Sequence, residues 1–250
     1  MHSILIIGQS NMAGRGYVDE VAPIENDRIH VMRNGCWRPM YVPVNPDRVM
    51  SGINLVESFA DRYSKEHDVN VGIIPCADGG TSLDQWQSGG LLFDHACYMC
   101  ELASRTSTIT AVLWHQGESD ASEELYPYYQ EKLTAIFNAL RERAGLHDVP
   151  FIVGGLGDFL VENPNPERCK LFKYYHKVNE ALQNMANDDE YIGYASAEGL
   201  ASNPDYLHFS SPALREFGER YYEAYLNLEH KAVDNSITFD ATPQNELENL

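Results

Sequence analysis

A serine becomes a nucleophile when a base can take its proton and something can hold the negative charge its attack creates. Residue types for all three jobs occur in four polar clusters: Gly8 to Gly16, Ala77 to Ser82, His115 to Asp120, and Asp205 to Ser210. Ser10 is the candidate nucleophile. It follows an apolar run and opens a turn into a helix, which places its hydroxyl at a rim and its own N–H near a helix N-terminus. An N-capping serine is the plainer alternative. His208 is the candidate base, because Asp205 stands three residues before it, within reach of the imidazole Nδ1–H. Asp-x-x-His by itself is a common surface pair and gains meaning only from its company. Gly80, through an unshielded backbone N–H, and Gln116, through its carboxamide, are candidate donors to an oxyanion. Their plainer alternatives are a turn glycine and a rim glutamine.

The sequence holds nine histidines. His2, His30, His67, His147, His176 and His230 fall on helices, linkers or the tail, and His95 in a helical stretch, so His115 and His208 remain as bases. His115, Glu118 and Asp120 could be imagined as metal ligands, but their spacing matches no zinc or calcium pattern. The glycines of 8–16 show neither GxGxxG nor Walker spacing, so a phosphate loop is set aside. Neither a metal nor a cofactor is expected.

The elements that would position these residues alternate. Ile4 to Ile7, Val69 to Ile74, Ile109 to Trp114, Pro150 to Val153 and Tyr191 to Tyr194 are apolar runs, as in strands covered on both faces. Between them apolar residues recur at helical spacing: Leu55, Val56, Phe59, Ala60 and Tyr63; Leu133, Ile136, Phe137 and Leu140; Phe172, Tyr175, Val178, Leu182 and Met185. Leu214, Phe217, Tyr221 and Leu228 continue it. This pattern predicts an α/β fold, a three-layer α/β/α sandwich around a parallel sheet. Ligands of such sheets bind beyond the carboxyl ends of the strands, where all four clusters converge. Residues 17–50 hold one weak strand, Ile29 to Met32, and read as a long loop over the sheet edge or rim. Residues 1–229 are expected to form one domain, with 230–250 an acidic C-terminal tail.

The chain has 250 residues, 44% hydrophobic and 22% charged, which excludes disordered and collagen-like classes. Thirty-seven acidic residues against eighteen Lys and Arg leave a net charge of -19. Such a surface repels phosphate backbones and anionic lipid, so neither nucleic acid nor membrane is an expected partner. Five cysteines, odd in number, suit a reducing cytoplasm. Met1-His2-Ser3 runs straight into the first strand without a basic leader, which also points to the cytoplasm. Cys97-x-x-Cys100 has no second metal-binding pair and reads as structural thiols.

Taken together, Gly8-Gln9-Ser10-Asn11-Met12, Gly79-Gly80-Thr81-Ser82, Trp114-His115-Gln116-Gly117-Glu118 and Asp205-x-x-His208 resemble the SGNH hydrolase superfamily. They are most similar to its sialate O-acetylesterase and acetyl xylan esterase branch, carbohydrate esterase family six. The resemblance implies a flavodoxin-like fold and a serine esterase that removes acetyl groups from sugar hydroxyls. It implies Ser10 as nucleophile, Asp205 and His208 as acid and base, and Ser10, Gly80 and Gln116 as the oxyanion hole. Gln116 stands where the wider superfamily has asparagine. An α/β-hydrolase would show GxSxG with acid and base on separate loops, whereas position 12 is Met. The absence of an export signal favours small acetylated sugars over polymeric xylan. Alternatives are an esterase or thioesterase of other short acyl groups, and an inactive carbohydrate-binding module of the same fold. The aromatic residues Trp37, Trp86, Trp114, Tyr206 and Phe209 are expected to supply a rim for sugar stacking.

Overall fold

Burial starts from the first strand. Ile4, Leu5, Ile6 and Ile7 are each fully buried in the centre of β1 (His2–Gly8), each side chain contributing about 1.5–3 kcal/mol relative to exposure. The computed structural model describes residues 1–239, with side chains through 229. β1 is flanked by β4 (Val71–Pro75) and β5 (Thr108–His115), both parallel to it. β6 (Phe151–Gly154) and β7 (Ile192–Ala195) extend the sheet beyond β5, and β2 (Ile29–Arg33) extends it beyond β4. With β3 (Cys36–Pro39) at the edge, the strand order is β3-β2-β4-β1-β5-β6-β7.

Six strands are therefore parallel and the seventh is not. β3 (Cys36–Pro39) pairs antiparallel with β2, pairing Met32 with Trp37 and Arg33 with Cys36. This corrects the reading of 17–50 as a loop, since the segment adds a hairpin to the sheet. Its turn is Asn34-Gly35, both at positive φ (51° and 72°), the two-residue connection that matches strand twist.

Helices cover both faces. On one, α2 (Val56–Glu66) packs against α8 (Ser211–Phe239). On the other, α4 (Leu91–Ser104), α5 (Tyr129–Ala144) and α7 (Tyr175–Asp188) pack in series, the short α3 (Leu83–Trp86) preceding α4 and the short α6 (Pro166–Leu171) preceding α7 in the chain. The apolar stripes expected from helical spacing are largely the buried faces: Leu133, Ile136, Phe137 and Leu140 on α5, and Leu214, Phe217 and Tyr221 on α8. The tail expected from residue 230 coincides with α8 as far as Phe239, and its remainder, 240–250, lies outside the described residues. Among the described residues no helix is long and apolar enough to cross a membrane. Strand order reverses direction at β1, so the crevice beyond β1 and β5 is the switch point where this architecture places ligands.

Candidate active site

Gly8 ends β1 at φ +131°, and a Cβ there would lie 2.1 Å from the carbonyl oxygen of His115 on β5. Only glycine lets the two strands close up at this point. The next amide, of Gln9, donates to that same carbonyl (2.9 Å), and the chain turns at once into the short helix α1 (Ser10–Ala13). Ser10 thus sits at the carboxyl end of the central strand and at the start of a helix.

His208 comes to it from the loop between β7 and α8. Its Nε2 lies 3.0 Å from Ser10 Oγ, and its Nδ1 lies 2.7 Å from Asp205 Oδ2. A carboxylate can only accept, so Nδ1 carries the proton and Nε2 is free to accept the serine's. The other oxygen of Asp205 accepts the backbone N–H groups of Leu207 (2.9 Å) and His208 (3.0 Å), which folds the acid and base into one tight loop. Tyr206, at the bend, adopts φ +54°. Burial pushes the Asp205 carboxyl up, but hydrogen bonds from the His208 ring and from these two amides outweigh it and bring it down to about 2.

The base loop is clamped from below. Asn11 accepts the Phe209 N–H (3.1 Å) and donates to Leu207 O (3.2 Å) and to the buried carboxylate of Glu118 (2.5 Å). Asn203 ties the same loop to the segment after α1, its Nδ2 donating to Arg15 O (3.0 Å) while its N–H donates to His208 O (2.7 Å). Glu118 also lies 3.5 Å from His115 Nε2. Burial raises its carboxyl, yet His115 and Asn11 prevail and hold it below the ordinary value. His115 is fully buried, with Nδ1 on Tyr221 OH (3.2 Å), and takes no part in the Ser10 pocket.

That pocket encloses about 400 Å³ and is lined by Gln9, Ser10, Arg15, Gly79, Gly80, Glu118 and His208, with Arg48, Met50, Ser119, Phe172 and Leu207 at its sides. Gly80 faces it at φ +77°. Among the described residues neither the Ser10 N–H nor the Gly80 N–H has an acceptor, so both are available to an incoming oxygen.

Gln116 does not come to this pocket. It is fully buried, and its carboxamide nitrogen donates to Thr81 O (3.1 Å) and to the Asp120 carboxylate. Both of its N–H bonds are spent, which removes it from the oxyanion hole expected from the sequence. Gln9, which the sequence reading passed over, offers the missing donor. Its Oε1 faces the backbone N–H groups of Gly117 and Ser119 (3.4 Å each), so Nε2 is the free end of a carboxamide that lines the pocket beside Ser10. The signal was present as a second carboxamide, adjacent to the serine itself.

The aromatic rim is corrected too. Trp86, Trp114 and Phe209 are fully buried, the two tryptophans packing edge to face at 5.5 Å, and Trp37 lies over Gly72 far out on β3. Of the five, Tyr206 alone stands by the base loop with part of its surface open. Cys97 and Cys100 are buried thiols, as expected, and burial pushes Cys100 up to about 12, far from a reactive thiolate.

Residues 1–227 match the model of the carbohydrate esterase, sialic acid-specific acetylesterase family. The chain belongs to that family. It is 26% identical over 251 residues to a probable carbohydrate esterase of Arabidopsis thaliana, covering 89% of each chain. A solved structure of a protein from that plant superposes with a TM-score of 0.79 at 25% identity, over 90% of this chain and 98% of that one. NanS shares the fold at a TM-score of 0.70 and 18% identity, over 92% and 98% of the two chains. A carbohydrate acetylesterase from Xanthomonas citri shares it at 0.68 and 17% identity, over 92% of this chain and 57% of that one. The architecture is the SGNH hydrolase sandwich, and the protein is a carboxylic ester hydrolase of the carbohydrate esterase kind.

Proposed function

We propose that this protein is a serine O-acetylesterase of small acetylated carbohydrates, working through an acetyl-enzyme. The observation that carries this reading is the unbroken chain Asp205–His208–Ser10, opening onto a pocket with three unspent N–H donors. Ser10 Oγ attacks the acetyl carbonyl carbon as His208 Nε2 takes its proton, and the Asp205 carboxylate stabilises the imidazolium. The carbonyl oxygen becomes an oxyanion between the N–H groups of Ser10 and Gly80 and the Nε2 of Gln9. The carbon–oxygen bond to the sugar breaks, and His208 returns its proton to the departing hydroxyl. Water, deprotonated by the same imidazole, then releases acetate and restores Ser10.

The family match, to a sialic acid-specific acetylesterase, favours O-acetylated sialic acid as the substrate class, with acetylated xylooligosaccharides as the second candidate. The five unpaired thiols, three of them buried, support a cytoplasmic enzyme acting on sugars already inside the cell. The acidic surface argues against nucleic acid or membrane as a partner.

The deciding experiment compares 4-nitrophenyl acetate, butyrate and octanoate, then measures acetate release from acetylated xylooligosaccharides and O-acetyl sialic acid. Preference for acetate, with release from either sugar, is expected. Faster turnover of octanoate with no release from sugars would replace this reading with a lipase or thioesterase.

A further inference from the structure

An oxyanion hole works only if its donors are already in place, and the Gly79-Gly80 turn has little of its own to hold it. Neither residue has a side chain, and a Cβ built on Gly80 would meet nothing within 4 Å. Such a turn is the most mobile kind of backbone. Two charged residues from the segment 45–52 take hold of it on opposite sides. Asp47 Oδ2 accepts the Gly79 N–H at 2.8 Å. Arg48 Nη2 donates to the Gly79 carbonyl at 3.2 Å.

The second contact bears directly on the donor. Gly79 C=O and Gly80 N–H share one peptide plane and point in opposite directions across it. Fixing the carbonyl toward Arg48 therefore turns the N–H the other way, and the guanidinium charge beside the oxygen polarises the same peptide toward stronger donation. Asp47 is itself held rigidly. Arg15 donates to both of its oxygens (2.9 and 2.6 Å), Ser51 Oγ donates to Oδ1 (2.8 Å), and the Arg15 and Asp47 side chains are 5% and 4% exposed. The turn is seated so closely on this pair that a Cβ on Gly79 would lie 2.5 Å from Arg15 Nη2. Burial pushes the Asp47 carboxyl up, and the bonds from Arg15, Ser51 and Gly79 more than offset it, so the acceptor stays ionised. Arg48 is anchored in turn by Asp78 (2.7 Å) and by Asp47 O (2.9 Å).

We propose that Asp47 and Arg48 are positioning residues for acyl transfer, which fix the Gly79 peptides from two sides and so aim the Gly80 N–H at the oxygen that becomes charged when Ser10 attacks. This rests on the acyl-transfer reading of the pocket.

The test compares two double variants, Arg15→Met with Asp47→Asn, and Arg15→Met with Asp47→Leu. Both lose the ion pair, and only the first keeps an oxygen for the Gly79 N–H. On 4-nitrophenyl acetate the Leu pair should turn over at least about tenfold more slowly than the Asn pair, with KM within about threefold. Serine phosphorylation by diethyl 4-nitrophenyl phosphate should slow by a similar factor. In that reaction Ser10 Oγ bonds to phosphorus as His208 Nε2 takes its proton, the bond from phosphorus to the leaving oxygen breaks, 4-nitrophenolate departs, and the phosphoryl oxygen occupies the hole. Equal turnover of the two pairs, or a difference confined to KM, overturns the role of Asp47. If the Leu pair melts below the assay temperature, Arg48→Met decides, since Arg48 is half exposed and its loss leaves the core intact. It should lower turnover and phosphorylation together, with Arg48→Lys recovering part of both, and wild-type rates in Arg48→Met overturn the proposal. Failure of the acyl-transfer reading looks different: the wild-type protein itself would then not be phosphorylated on Ser10.

Discussion

The carboxamide of Gln116 donates to the carboxylate of Asp120, and both side chains are closed off from solvent. Burial raises the Asp120 carboxyl, and the bonds from Gln116 and from the Leu83 N–H (3.1 Å) counter that rise. Gln116 thus serves to hold the 116–120 loop to the start of α3 (Leu83–Trp86), while Gln9 faces the reacting oxygen.

The two glutamines should therefore fail differently. Gln9→Ala removes a donor that acts mainly in the transition state, so turnover of 4-nitrophenyl acetate should fall about a hundred- to a thousand-fold with KM nearly unchanged. Gln116→Ala takes a donor from the Thr81 carbonyl and leaves the buried Asp120 carboxylate with the Leu83 N–H, which should cost about 1–3 kcal/mol of stability and leave turnover within about tenfold. Steady-state kinetics with urea unfolding separates them. The reverse pattern would return Gln116 to the oxyanion hole.

Ser10→Ala deletes the nucleophile and a single hydrogen bond, to His208. Esterase activity should disappear while circular dichroism and the melting temperature stay as in the wild type. Activity within about tenfold of wild type in that folded variant would end the nucleophile assignment.

Asn11 makes three bonds with one side chain, two of them to the backbone on either side of His208. Asn11→Ala leaves the Phe209 N–H without its partner in a buried site, a loss of about 1–3 kcal/mol. Because His208 lies between the two clamped residues, turnover should fall as well. A variant with lowered melting temperature and unchanged turnover would show that the clamp supports the fold alone.

Most of this was legible in the residues. Unbroken apolar runs such as Ile4 to Ile7 announce strands buried on both faces, and the polar clusters after them mark the rim, because an α/β sheet leaves its strand ends nowhere else to open. Ser10, Asp205 and His208 could be read because their chemistry is local to a turn or to a three-residue span. Gln116 could not, since which of two carboxamides reaches the pocket depends on a contact with Asp120 that sequence distance does not rank. Trp86, Trp114 and Phe209 misled for a related reason: they lie near the clusters in sequence, yet ring size drew them into the core. β3 was overlooked despite Asn34-Gly35, a turn signal that four following residues of mixed polarity did not reinforce.

Asp205 should leave a distinct mark on pH dependence. Its folded value of about 2 lies below the ordinary 3.8, so its ionised form is the one the fold favours. The stability this supplies is fully present above the unfolded value and is lost as pH falls through the folded one. Between about pH 5 and pH 2 the wild type should lose stability relative to Asp205→Asn, whose amide does not titrate, and melting temperatures across that range measure the convergence. Asp205→Asn should lower turnover by about a thousand- to ten-thousand-fold, because an amide in that place no longer enforces the tautomer with Nε2 free. Stability gaps that do not narrow toward pH 2 would show that Asp205 is not held as a low-pKa carboxylate against His208.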